Sequence, residues 1–168
     1  DTDGTVKVSP RPFHTVSLGS CKNVRLESFA ILRSPFWAVE LNGCEGAVVT
    51  GLRIRNNQRM SNSDGVNIKS CRNVVMSNCD IVSGDDSIAI TTNGREHRDP
   101  PGHKNFPGEC RNVTITNCLL DSHSRAILIW AHAFDVEGIV IGNTLVRDSN
   151  RGVNIGYTTG DVRDVMVS

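Results

Sequence analysis

Short runs that alternate apolar and polar residues fill this chain, and almost none of it carries helical spacing. Val24-Arg25-Leu26-Glu27 and Val113-Thr114-Ile115-Thr116 turn every second side chain to the same side, the period of a strand with one buried face. A second set of short runs follows the same rule: Ala38-Val39-Glu40-Leu41, Gly65-Val66-Asn67-Ile68, Ser87-Ile88-Ala89-Ile90, Ala126-Ile127-Leu128-Ile129 and Gly152-Val153-Asn154-Ile155. No stretch sustains apolar residues at i, i+3, i+4 and i+7 beyond about one turn, so the pattern predicts strands and almost no helix.

The runs recur with a phrase. Cys21-Lys22-Asn23-Val24, Cys71-Arg72-Asn73-Val74 and Cys110-Arg111-Asn112-Val113 are strong copies, with weaker ones at Cys44-Glu45-Gly46-Ala47-Val48 and Asp161-Val162-Arg163-Asp164-Val165. Starts at 21, 44, 71 and 110 give steps of 23, 27 and 39 residues. The longest step holds an insertion, residues 93–109, whose Pro100, Pro101 and Pro107 mark a loop. A repeat of roughly 20–25 residues with two or three strands each is the mark of a parallel β-helix whose coils stack about 4.8 Å apart. The expected fold is therefore all-β, a right-handed single-stranded parallel β-helix in one domain over residues 1–168. Neither end offers an amphipathic helix or polar cap, so the chain is expected to be an internal portion of a longer protein.

Stacking changes how the six cysteines read. Cys21, Cys44, Cys71 and Cys110 hold one place in successive coils, and Cys79 and Cys118 match within Asn78-Cys79 and Asn117-Cys118. A ladder of small buried thiols accounts for all six, although an even count also fits disulfides and Cys with His also fits zinc. Asn23, Asn73, Asn112, Asn78 and Asn117 suit a turn ladder. Only 5% of residues are aromatic, which a core of small β-branched side chains tolerates. Eighteen basic residues balance eighteen acidic ones, so charge points to neither nucleic acid nor membrane. No run approaches the roughly 20 apolar residues of a membrane span, and the Asp1-Thr2-Asp3-Gly4 start lacks the features of a signal peptide.

Against the ladder, Ser61-Asn62-Ser63-Asp64-Gly65 and Ser83-Gly84-Asp85-Asp86-Ser87 stand out. Asp64 and Asp85 are 21 residues apart, about one coil, which predicts that they stack as neighbours. Gly84 is expected to give the backbone freedom for two consecutive aspartates to reach one side. Crowded carboxylates repel, and crowding is how a site keeps a protonated acid beside ionised bases. Spacing alone leaves three readings open: catalysis, turns, or calcium held by oxygen ligands.

Ser34-Pro35-Phe36-Trp37, Asn62-Ser63-Asp64-Gly65 and Ser83-Gly84-Asp85-Asp86-Ser87-Ile88-Ala89-Ile90 occur in order with the Cys-x-Asn-Val phrases. Together they resemble the polygalacturonase family of glycoside hydrolases, the pectin-degrading family 28, from about Arg11-Pro12 to Ile155. The resemblance implies a right-handed parallel β-helix and inverting hydrolysis without a cofactor or metal. It makes Asp85 the general acid, and Asp64 and Asp86 the pair that positions and deprotonates water. Asn62 would share their groove. Where the family carries Gly-His-Gly, this chain has Ser122-His123-Ser124, with His123 one residue farther from the next strand; it is a candidate catalytic residue or a solvated turn histidine. The resemblance also implies an extracytoplasmic protein, secreted or periplasmic, acting as a monomer on a polysaccharide or oligosaccharide.

The family's Arg-x-Lys, which holds a substrate carboxylate, is replaced here by Asn154-Ile155-Gly156. That removes the charge-assisted contacts a sugar acid would use. Arg125, Arg151 or Lys69 are possible substitutes; Asn154 stands at the vacated place, and Trp130 and Tyr157 are candidates for stacking on a sugar ring. Trp130 equally suits filling space under the loop of residues 93–109. Two competing functions stay open: a polysaccharide lyase on the same architecture, and a carbohydrate-binding or structural β-helix without turnover.

Overall fold

A computed structural model describes residues 13–94, 100 and 102–168. Arg11-Pro12, the Asp1–Gly4 start and part of the insertion at residues 93–109 lie outside the described residues. Successive coils carry β1 (Val16–Gly19), β2 (Lys22–Glu27) and β3 (Ala30–Leu32); β4 (Val39–Asn42), β5 (Glu45–Thr50) and β6 (Arg53–Arg55); β7 (Val66–Lys69), β8 (Arg72–Ser77) and β9 (Asp80–Ser83). Then come β10 (Ile88–Thr91), β11 (Cys110–Thr116) and β12 (Leu119–Ser122); β13 (Arg125–Ala131), β14 (Val136–Gly142) and β15 (Leu145–Arg147); and finally β16 (Arg151–Tyr157) and β17 (Val162–Val167).

Each strand pairs in parallel with its counterpart one coil on, giving sheets ordered β1-β4-β7-β10-β13-β16, β2-β5-β8-β11-β14-β17 and β3-β6-β9-β12-β15. This is the all-β parallel β-helix that the repeat predicts, with no helix among the described residues. Inward positions stack by type: Val39, Val66, Ile88 and Ile127 in one row, Leu41, Ile68, Ile90 and Ile129 in the next, all with no exposure. Burying each such side chain contributes about 1.5–3 kcal/mol. Bulky rings are not needed where β-branched residues pack on their own copies.

The corners follow the same economy. All six cysteines are free thiols; Cys44, Cys71 and Cys110 form a buried ladder, and Cys71 Sγ lies 3.4 Å from the Leu41 carbonyl oxygen. Asn23, Asn73, Asn112, Asn78 and Asn117 all adopt φ between 53° and 57°, the left-handed conformation that Asn tolerates better than most residues. Gly46 and Gly138 take the place of Asn in the intervening coils, at φ 69° and 70°. The sequence points to side-chain bonding as the reason for these asparagines. Backbone conformation is the wider reason, with a side-chain bond such as Asn112 Nδ2 to Asn73 Oδ1 (2.9 Å) added where both copies are Asn.

The described part of the 93–109 insertion is loop. It folds back on the first two coils, where the Phe106 side chain lies over Gly19 and Gly43 so closely that a Cβ at either would stand within 2.4 Å of it.

Candidate active site

Asp64 and the Asp85-Asp86 pair occupy the turns that lead into β7 and β10. Val66 pairs with Ile88, and Gly65 N donates to Asp86 O at 2.9 Å. Asp64 therefore stands level with Asp86, while Gly84 N donates to Ser63 O at 3.2 Å. This corrects the sequence-based pairing of Asp64 with Asp85: the coil step here is 22 residues rather than 21. Gly84 is required by space and not by an unusual φ, since a Cβ there would meet the carbonyl oxygens of Asn57 and Met60 at 2.4 Å. Gly65 is confined likewise, since a Cβ there would stand 2.3 Å from Ser87 O. Two close approaches thus draw the aspartate turns together. Hydroxyls of Ser83 and Ser122 donate to the Asp85 carbonyl at 2.7 and 2.6 Å and fix the turn between them.

The three carboxylates differ in their partners. Asp85 Oδ2 accepts from both the backbone N and the Nδ2 of Asn62, each at 3.2 Å, with Asn62 held at φ 57°. Arg125 donates through Nε to Asp86 Oδ1 at 2.5 Å and through Nη2 to Asp85 Oδ1 at 3.4 Å. Asp64 receives only Asn67 Nδ2 on Oδ2, at 3.1 Å; its Oδ1 is buried and has no hydrogen-bond partner among the described residues. Burial first, then repulsion from Asp85 and Asp86, raises the Asp64 carboxyl well above the usual carboxylate range, with Asn67 opposing. Burial and Asp85 push Asp86 up to about 7, and Arg125 limits the rise. Burial works against the charge on Arg125, but Asp86 and Asp85 outweigh it and raise its pKa. Burial and mutual repulsion thus favour a retained proton within the cluster, and such groups titrate as a set.

These groups line a groove of about 150 Å³ over the first sheet. Asp64, Asp85, Asp86, Asn62, Arg125 and Trp130 all border it. His123, Asn154 and Tyr157 do not belong to its lining. His123 is exposed and stands level with Gly84, its backbone N donating to Ser83 O; Arg125, two residues on, is the residue brought to the carboxylates. Tyr157 is 68% exposed on the last coil.

Trp130 lies over Gly156, where a Cβ would stand 2.3 Å from the indole ring, and donates through Nε1 to Thr158 Oγ1 at 3.0 Å. The Asn154-Ile155-Gly156 replacement and Trp130 are therefore one feature, because no side chain fits at 156 beneath that ring.

Trp37 and Asn67 line the groove although the sequence does not single them out as site residues, and so does Lys69, one of the substitutes it offers for the missing cations. Asn67 and Lys69 are the outward positions of β7, and both are buried because the groove covers that face. The signal was present in the alternation itself, as polar residues at alternate places in a strand whose other face is core. Lys69 Nζ lies 5.9 Å from the Trp37 ring centroid.

A probable endopolygalacturonase of Aspergillus fumigatus is 26% identical over 96% of this chain and 40% of its own. A probable polygalacturonase of Arabidopsis thaliana is 36% identical over 44% of this chain and 16% of its own. A solved exopolygalacturonase from Thermotoga maritima aligns with 88% of this chain and 54% of its own, at 14% identity and TM-score 0.43. This chain spans less than half the length of each of those two curated relatives. Residues 3–166 match Glycosyl hydrolases family 28, and the chain belongs to that family.

Proposed function

We propose that the protein carrying this chain hydrolyses glycosidic bonds in a pectin-type polysaccharide, with inversion, using Asp64, Asp85 and Asp86. The convergence of these three carboxylates in one groove carries the reading. Asp85, with 21% of its side chain exposed against 6% for Asp86, is the one nearest the groove mouth. There it donates a proton to the leaving oxygen, while Asp64 and Asp86, deeper in the groove, hold and deprotonate the attacking water. The donors from Asn62 and Arg125 stabilise the Asp85 carboxylate once its proton has gone. Lys69 and Arg125 are the cations that face a sugar carboxylate, in place of side chains at 154 and 156. A polymer of this size is met outside the cytoplasm, which is where the protein is expected to act.

The test is a reducing-sugar assay of the full-length protein on polygalacturonate and on neutral or substituted glycans, with Asp85→Asn as the blank. Turnover lost by roughly 10²–10⁴-fold in the variant is expected; undiminished turnover would sink the assignment. A second reading, binding without turnover, is favoured by one observation: His123 lies outside the groove lining and positions 154 and 156 carry no charge. Recovery of an oligosaccharide bound but uncleaved after long incubation would select it. An ultraviolet-absorbing unsaturated product would select a lyase instead.

A further inference from the structure

A second buried carboxylate stands one strand away from the aspartates, in surroundings of a different kind. Glu40 is the outward residue of β4, fixed by Val39 and Leu41 in the core, and its side chain has no exposure. His14 Nε2 lies 3.6 Å from Glu40 Oε2, and His103 Nε2 lies 3.1 Å from Glu40 Oε1. One ligand atom from each residue falls within 4.8 Å of the other two. We propose that His14, Glu40 and His103 form a binding site for a divalent cation of the zinc class, which ties the loop of residues 93–109 to the first two coils.

Chemistry and geometry agree on the class. Two imidazoles with one carboxylate are a recurrent zinc donor set, completed by a water. Ligand atoms about 2.0–2.2 Å from a tetrahedral ion stand roughly 3.3–3.6 Å from one another, and the two separations, one to each carboxylate oxygen, are of that order.

The ligands are oriented before any ion arrives. The His14 ring is stacked on Trp37 and Phe36 at 4.6 and 5.1 Å, which leaves its edge toward Glu40. Thr15 N donates to Trp37 O at 3.1 Å and fixes that segment to the next coil. Ser17 Oγ donates to Glu40 Oε2 at 2.8 Å, the outer-shell bond that orients a ligating carboxylate. On the loop side, Phe106 N donates to Asn42 Oδ1 at 3.3 Å, and Asn42 Nδ2 stands 3.3 Å from His103 Nε2. His103 and Glu40 are 63 residues apart in sequence, so an ion there would cross-link the insertion to the sheet. It would also steady Trp37, which the groove and this cluster share. The sequence reading expected no metal, because the three ligands come from two coils and an insertion.

The test strips the full-length protein with a chelator, dialyses it against zinc chloride and measures bound zinc by elemental analysis, with visible spectra after cobalt substitution. About one zinc per chain is expected beyond any retained by the variants, with the visible bands of a four-coordinate cobalt ion. His103→Ala, on the half-buried loop, and Glu40→Gln are each expected to weaken uptake at least tenfold to a hundredfold. Circular-dichroism melts confirm that the variants are folded; His103→Ala decides the question should Glu40→Gln fail to fold. Zinc uptake below about a tenth of an ion per chain, or uptake in His103→Ala equal to that of the unaltered protein, overturns the site.

Discussion

The first sheet buries acids in two places, and the neighbours decide what each does. At Asp64, Asp85 and Asp86 three carboxylates crowd together, relieved by Arg125 against Asp86 and Asp85 and by the charge of Arg151 on Asp86. At Glu40 the neighbours are the two imidazoles of His14 and His103. Like charges force one group to keep its proton, which is useful in a reaction and costly for the fold; opposite or ligating groups neutralise a carboxylate and bind segments together. The pair teaches that burial alone assigns no role to an acid.

Substitutions sharpen that contrast. The largest effect is the loss of turnover in Asp85→Asn, about 10²–10⁴-fold in kcat. Next is stability at the crowded site. Asp64 and Asp86 have folded pKa values raised above 3.8, Asp86 to about 7, so the folded state binds more protons than the unfolded one between those values. Stability therefore falls as pH rises from about 4 through 7 and is flat beyond the folded pKa values. Asp64→Asn removes this loss: thermal melts should show a gain on the order of 1–3 kcal/mol at pH 8 and almost none at pH 4. A variant less stable than the parent at pH 8 would refute the electrostatic account.

Glu40→Gln should act in the opposite sense, destabilising by about 1–3 kcal/mol at neutral pH in a urea titration, because it leaves its partners without their charge. Equal signs for the two amide substitutions would erase the contrast between the sites. The smallest effect concerns the groove wall. Gly156→Ala displaces the Trp130 ring and should cost about 1 kcal/mol, a cost expected to vanish in a Trp130→Ala background. Additive effects in that double-mutant cycle would show that the two positions are independent.

Much of this was legible in the chain. The phrase Cys-x-Asn-Val and its spacing predict the coil, because each coil repeats the same corner in the same conformation. Asp64, Asp85, Asp86 and Asn62 stand out as departures from the ladder. The one-residue difference in register did not, since the exact step depends on how tightly Gly65 and Gly84 let the turns approach. Arg125 lay in plain view beside His123, but which of them meets the carboxylates depends on the pairing of β10 with β13. His14, Glu40 and His103 were invisible as a set, because the path of the insertion brings them together and no local pattern encodes that path.

That insertion also bears on how the molecule assembles. Ladder partners are 22 residues apart between β7 and β10, but 39 apart between β10 and β13. A solenoid grows by adding coils to a formed neighbour, and closing the longer loop costs about 0.5 kcal/mol more in chain entropy. Growth outward from the aspartate coils is therefore expected to pause at this junction. Pulse-labelled hydrogen exchange should find the amides of Ile127 and Ile129 protected after those of Ile68 and Ile90. Simultaneous protection would contradict this order, in which the carboxylates gather first and the arginine that restrains them docks later.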